Sequence, residues 1–518
     1  MSLYFYLAGA IAIGMLIWNT IEVGRNDATN VVNAVFGSRV LRRKTAVYLS
    51  GIAVIFGACA ATPVMETARS GIFDPATIPV LEDCLSIYIA VYLTNTVLLY
   101  SFSAFGMPIS TTACLVFALL GGGYAIGGAE SVKWAKSQEV VLAILCSIFI
   151  SGAAAFFIQR AFRGAMGRQC DDPEKVNLHG PWIGGLLLTG LVYFVLMKGM
   201  KNVDFVKFLR KATFDEFGAP LVLFSSWAVM ASFVWLLLRI GGDAIRRKLF
   251  GGMAVLGMLA TAFAFGQNDL ANCASPGIAA WMIIKEKHLA YNSNVPLWFL
   301  LLCGCLLAMG MATRNAQRVT RAEVNTGSQG DVVRLYAPRW CVGLAKFLLP
   351  KQKTDALAPQ PVLDESHRKL QHYDALRAAV ITSISGSVIA FASGRGLPVS
   401  TTYVAFAAVI ATGWADRIFA RGDAVLKMGR TIWVVFCWFF SAFLSAVITG
   451  MGALVISRFY TIGILVLLAI NLLVRYYMDQ RANRQEEILQ LEAAERKKAI
   501  YGELGEHHVI ASEMDDEH

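Results

Sequence analysis

The sequence predicts an all-α polytopic membrane protein built as two inverted repeats, with broken helices and re-entrant hairpins. Three observations carry that expectation: a lipid-like composition, apolar runs of spanning length that recur along the chain, and a pair of polar motifs that occurs twice in the same order. Of 518 residues, 56% are hydrophobic and only 16% charged, with a mean hydropathy of +0.55. Soluble domains carry about a quarter charged residues, so this balance belongs to a bilayer.

A helix needs about 20 apolar residues to cross the hydrocarbon core. Runs near that length fall at 3–23, 45–65, 84–103, 138–160, 182–198, 219–239, 250–266, 296–313, 376–393, 430–457 and 459–478, about eleven spans. The first run has no basic start and no small-residue cleavage site, so it reads as a retained span and not a signal peptide. Segments 104–125 and 394–413 are apolar but interrupted by Gly, Pro, Ser and Thr. They read as re-entrant hairpins, which membranes tolerate only where protein or a water-filled cavity satisfies the backbone.

The domain reading follows from these runs. Residues 1–165 form a first membrane repeat, 166–245 connecting spans, and 246–313 with 375–458 a second repeat. Residues 314–374 read as a long polar cytoplasmic loop, 459–478 as a last span, and 479–518 as a charged tail, heptad-like through Ile488, Leu491 and Ala494. His507, His508 and His518 in that tail look incidental. The net charge of +10 sits in short loops beside apolar spans, which is membrane topology and excludes a nucleic-acid reading. Ten cysteines without a CxxC pair read as buried thiols. The expected setting is a multi-pass plasma (inner) membrane protein with the lipid bilayer as its standing partner; a homodimer stays open.

The duplicated motifs carry the chemistry. Gly24-Arg25-Asn26-Asp27-Ala28-Thr29-Asn30 recurs as Gly266-Gln267-Asn268-Asp269-Leu270-Ala271-Asn272, a GxNDxxN pattern. Downstream, Gly106-Met107-Pro108-Ile109-Ser110-Thr111-Thr112 recurs as Gly396-Leu397-Pro398-Val399-Ser400-Thr401-Thr402, a GxPxSTT pattern. Asp27 to Ser110 spans 83 residues and Asp269 to Ser400 spans 131; the excess of 48 fits within 314–374. Loop 66–84 has one Arg against four acids, whereas 314–374 opens with Arg314, Arg318 and Arg321. By the positive-inside rule these matching loops face opposite sides, which makes the repeat inverted and places a binding site near the midplane.

GxPxSTT reads as a helix start, with Pro at the first helical position and hydroxyls beside the unpaired N–H groups of the first turn. Two such termini offer an oxyanion donors without a full positive charge. Ser110, Thr111, Thr112, Ser400, Thr401 and Thr402 are therefore candidate substrate ligands, joined by Asn26 and Asn268. GxNDxxN sets a carboxylate and two amides at the end of a helix that Gly can unwind. An intramembrane acid needs a cation, a proton or a partner, so Asp27 and Asp269, with Asn30 and Asn272, are candidate ligands of a coupling cation. Asp27 and Asp269 are the candidate metal ligands if that cation is Na+. Glu22 and Arg25, one turn apart, read first as an ion pair with each other, and Arg395 and Asp416 as interfacial anchors.

At these residues the sequence resembles the inorganic phosphate transporter (PiT) family, whose repeated signatures are GANDxAN and PxSTTH; the resemblance covers about 15–160 and 250–457. It implies an inverted-repeat symporter of inorganic phosphate with Na+ or H+, with the Ser and Thr positions on phosphate and the two Asp on the cation. Arg25 and Gln267 replace the family's small residue, and Ala113 and Tyr403 its His. No cofactor and no enzymatic activity are expected. The alternatives are a sulfate or other oxyanion permease of the same build and a non-transporting receptor. An intramembrane hydrolase lacks the general base its Ser would need, because no His adjoins either STT.

Overall fold

The computed structural model describes residues 3–167, 170, 172–201, 203–286, 295–330, 333–349, 372–420 and 422–501. Apart from one isolated bridge between Phe73 and Val132, the described residues form helices and their connections. In chain order they are α1 (Leu3–Gly37), α2 (Arg43–Ala58), α3 (Thr62–Ser70), α4 (Leu81–Ala104), α5 (Thr111–Gly127), α6 (Trp134–Met166) and α7 (Pro173–Leu191). Then come α8 (Asp204–Phe217), α9 (Ala219–Glu286), α10 (Leu297–Met311), α11 (Arg314–Thr326), α12 (Arg339–Leu348), α13 (Ala375–Gly394), α14 (Thr401–Ala415) and α15 (Ala424–Tyr501).

The eleven apolar runs fall mainly on helix, but run 45–65 is divided between α2 and α3 by a break at residues 59–61, and the runs and the elements do not match one to one. Among the described residues seven helices are long and apolar enough to cross a membrane, and α10 with α11 forms a further pair bent by 65°. Two of the seven are double. The helical path of α9 breaks at Gly242 and that of α15 at Tyr460, both with positive φ, which separates 219–239 from 250–266 and 430–457 from 459–478.

The stretch 314–374 contains α11 and α12. Its arginines hide them from a hydropathy scan, yet α11 is strongly amphipathic and buries Ala316, Val319, Thr320, Glu323, Val324 and Thr326. The tail is helical to Tyr501 and largely exposed, Ile488 and Leu491 included. It continues α15, and Glu486 pairs with Arg318, Arg321 and Arg334. The three tail histidines lie outside the described residues.

Asp416, read as an interfacial anchor, is part of a half-buried clasp. Arg163 of α6 donates to Asp416 at 2.8 Å and also bridges to Asp374, the N-cap of α13. Burial works to raise the Asp374 carboxyl, but Arg163 and the Arg377 backbone N–H more than offset it and hold it below the usual carboxylate range. Arg395 lies over the Phe391 ring at 4.4 Å.

Candidate functional site

The site forms where α1 and the second arm of α9 meet the segments that lead into α5 and α14. Both GxNDxxN motifs run through continuous helix, so the expected end of helix and glycine-assisted unwinding at the motif are corrected. The glycines serve close packing instead: a Cβ on Gly24 would overlap the Leu307 carbonyl, and one on Gly266 the Val54 carbonyl. Small residues at these places let helix backbones touch inside a bilayer.

In GxPxSTT the role of the glycine is conformational. Gly106 has φ of +66° and Gly396 of +72°, a left-handed region that strains any residue with a Cβ. Each turns the chain out of the preceding helix, and the helix restarts at Thr111 or Thr401. The proline therefore lies before the cap and not at the first helical position. Ser110 and Ser400 are the N-caps, accepting from Ala113 N at 3.0 Å and Tyr403 N at 3.1 Å.

The two motif pairs lock together. Asn26 donates to Ile109 O at 2.7 Å, and Asn268 to Val399 O at 2.7 Å. Each half then crosses to the other: Asn30 donates to Thr402 Oγ1 at 3.0 Å and to Thr401 Oγ1 at 3.2 Å, and Asn272 to Thr112 Oγ1 at 2.7 Å. Thr402 donates to Asp27 Oδ1 at 2.8 Å and Thr111 to Asp269 Oδ1 at 2.9 Å. Asn30 and Asn272 also reach the Asp one turn back, at 3.1 and 2.8 Å. All twelve candidate residues are buried, none more than 4% exposed; ten of them form two matching networks, one around each Asp, and Ser110 and Ser400 cap the adjoining helices.

The networks leave a particular set of atoms over. Asp27 Oδ2, Asp269 Oδ2, Asn26 Oδ1, Asn30 Oδ1 and Asn272 Oδ1 are buried oxygens that accept no hydrogen bond. Unpaired buried oxygens are costly, and hard oxygen donors suit a hard cation. Among the described residues no group of three or more His, Cys, Asp or Glu could hold a metal ion, so any cation here draws on two carboxylates and on amide oxygens. The residues fit Na+ in that sense. A proton on either Asp serves the same electrostatic end.

Arg25 does not face these networks. It pairs with Glu22, which also takes Arg475 and the Trp18 indole N–H at 3.1 Å, and its guanidinium lies 4.4 Å from the Tyr100 ring centre. Arg475 could not be foreseen, because it comes from the last span, 453 residues away from Glu22. Tyr403, where the family has His, stacks on Trp438 at 4.0 Å and donates to its carbonyl, so it packs and does not ligate. Glu323 was also missed; it takes Thr29 and Asn33 from α1.

Comparison with known proteins agrees with this build. The profile of the phosphate transporter family matches residues 23–322 and 364–449. Proteins named as phosphate permeases are similar along most of the chain. That of Pyrococcus horikoshii is 25% identical over 432 residues, 83% of this chain and 93% of its own. That of Haemophilus influenzae is 24% identical over 418 residues, 80% and 89%. A solved structure titled the sodium-dependent phosphate transporter superposes with a TM-score of 0.64 at 18% identity, covering 88% of this chain and all of the other; the fold is shared.

Proposed function

Given that the chain belongs to the phosphate transporter family, a family of transporters and not of enzymes, we propose that it moves inorganic phosphate in symport with a cation. The observation that carries the coupling is the pair Asp27 and Asp269, each with one carboxylate oxygen that accepts no hydrogen bond, set against the N-termini of α5 and α14. Two buried acids repel one another, and a phosphate anion entering beside them worsens the repulsion. A bound cation offsets both costs, so anion entry becomes tied to cation entry.

Phosphate sits at the two helix N-termini, with Ser110, Thr111, Thr112, Ser400, Thr401, Thr402, Asn26 and Asn268 around it. Asp27, Asp269, Asn30 and Asn272 hold the cation. The solved structure that shares the fold is sodium-dependent by title, which supports Na+ over H+. The opposite charge of loop 66–84 and of the Arg314–Arg321 stretch supports the inverted arrangement of the halves, with the site reached from each side in turn.

Uptake of labelled phosphate and sulfate into proteoliposomes under separate Na+ and H+ gradients tests the reading. Phosphate accumulation that follows one cation gradient supports it. Equal accumulation with no gradient, or sulfate taken up in preference, overturns it.

A further inference from the structure

Outside the two motifs, α11 brings one more carboxylate onto α1. Glu323 is 2% exposed, and its two oxygens meet two donors of the motif helix: Thr29 Oγ1 at 2.7 Å from Oε2 and Asn33 Nδ2 at 2.6 Å from Oε1. Thr29 and Asn33 lie two and six residues past Asp27, so the carboxylate stands between about 3 and 9 Å along the helix from it, at 1.5 Å per residue. On its other side α11 closes on the first GxPxSTT turn, with Arg318 O and Ala322 against Gly106.

No cation among the described residues pairs with Glu323. On α1, Arg25 is held by Glu22, and Asp27 is the other acid. On α4, Tyr100 donates to Asp479 at 3.1 Å. At the start of α13, Tyr373 donates to the Glu323 backbone carbonyl at 3.4 Å, and Arg377 is spent on Gly327 O, Val409 O and Thr412. On α15, Arg430 binds Gly106 O and Tyr336 O, Arg475 binds Glu22, and Glu486 holds Arg318 and Arg321 of α11 itself. A charge so placed is expensive, and the usual remedy is neutralisation.

We infer that Glu323 is a proton-binding site, separate from the Asp27–Asp269 cation site, and that it takes and releases a proton during transport. This inference rests on the coupled transport proposed above. The geometry accommodates both forms without moving the backbone. In the ionised form Thr29 and Asn33 both donate. In the neutral form Oε1 still accepts from Asn33, while the new Oε2–H donates to Thr29 Oγ1, whose own proton turns to a carbonyl one turn back on α1. A hydroxyl can reverse its role in this way and an amide N–H cannot, and Glu323 has one partner of each kind. Its oxygens both have donors, unlike Asp27 Oδ2 and Asp269 Oδ2, so it suits a proton and not a metal ion.

Among the described residues the second half shows no such site. The motif register pairs Thr29 with Ala271 and Asn33 with Ser275. Gly396 packs on Pro63 O and Thr67 as Gly106 packs on Arg318 O and Ala322, which puts Ala68 in the register position of Glu323. The proton site is therefore peculiar to the α1 side.

Two measurements test it. Infrared difference spectra of the purified protein, taken across a pH titration without any transport, should show a protonated-carboxyl band that Glu323→Gln removes and whose midpoint Thr29→Val shifts. In proteoliposomes under a fixed Na+ gradient, Glu323→Gln should keep phosphate uptake within about twofold of the parent while its response to an imposed pH gradient falls several-fold. Substrate protonation is common to both proteins and cancels in their ratio. A band unchanged in Glu323→Gln, or the parent's pH response in that variant, overturns the proposal. If the parent itself moves no phosphate, the coupled-transport reading fails, and the infrared band still decides whether Glu323 titrates. If Glu323→Gln does not fold, the Thr29→Val titration decides alone: no shift of the band overturns the proposal.

Discussion

Asp27 and Asp269 sit in closely matching surroundings: each takes a hydroxyl from a GxPxSTT threonine, an amide from the Asn three residues on, and keeps one oxygen without a donor. The helices that carry them are braced by different chemistry. On α1, Glu22 holds Arg25 and Arg475, and Glu323 docks on Thr29 and Asn33. On α9 the same register positions are Ala264, Gln267, Ala271 and Ser275, and Gln267 donates to Gly199 O at 2.9 Å and Ala60 O at 3.3 Å. The site is held alike from both halves while its supports have diverged. An effect common to the two acids reports these matching surroundings, and an effect peculiar to one half reports its supports.

The largest expected effect lies in the shared part. Asp27→Asn keeps shape and hydrogen-bonding reach and removes the charge, and so does Asp269→Asn. Each should abolish gradient-driven phosphate accumulation while the protein still inserts and elutes as the parent does. Accumulation measured for both variants at equal surface expression decides: one active and one inactive variant would break the equivalence of the halves, and two active ones would end the coupling assignment.

Next comes the brace. Glu22→Ala leaves Arg25 and Arg475 buried with no counter-charge, and removing one member of a buried ionic group costs about 3–5 kcal/mol. Gln267→Ala on the other helix removes only neutral hydrogen bonds to two carbonyls, worth about 1–2 kcal/mol. Thermal unfolding in detergent should therefore show a much larger loss for Glu22→Ala. Equal losses would mean that the ionic brace adds nothing over the neutral one.

How much of this was legible in the sequence follows from what kind of signal each part leaves. The apolar runs and the twin motifs bring out all twelve candidate residues, because spanning length and an exact repeat are local patterns. Helix α11 was not legible: Arg314, Arg318 and Arg321 make its window polar, and only the period of Ala316, Val319, Glu323 and Val324 betrays a buried face. Arg475 and Glu323 join the site's surroundings from 453 and 294 residues away, and no single-chain pattern marks that pairing. The motif glycines were read as hinges when Gly24 and Gly266 are points of helix contact, a distinction that needs the neighbouring helix in view.

A middle-sized effect belongs to the caps. Ser110→Ala and Ser400→Ala each remove the acceptor of one backbone N–H at the start of α5 or α14. The expected loss is about 1–2 kcal/mol, the scale of a deleted cap or hydrogen bond. It should appear as weaker phosphate affinity in uptake, similar in the two halves. Unchanged affinity in both variants would remove the hydroxyls from the substrate-binding set.

The smallest expected effect tests the support farthest from the site. Glu486 on the extension of α15 lies 2.5 Å from Arg318 and 3.2 Å from both Arg321 and Arg334, so the tail clasps the helix that carries Glu323. The counterpart α3 has another fastening, Thr67 donating to Gly396 O at 2.7 Å. These ion pairs are partly solvated, and such pairs contribute about 1 kcal/mol or less each. Glu486→Gln should leave global unfolding nearly unchanged, since the spans of α15 remain anchored by Asn471 and Arg475 on α4. Its effect should be local. Amide exchange in α11 should quicken by about fivefold, the equivalent of 1 kcal/mol, while exchange in α3 stays as in the parent. Raised salt should quicken α11 in the parent but not in the variant, where the remaining Arg318, Arg321 and Arg334 only repel one another and screening relieves that repulsion. Equal quickening of α3 and α11 would mean that the tail stabilises the whole molecule and not the α1 side alone.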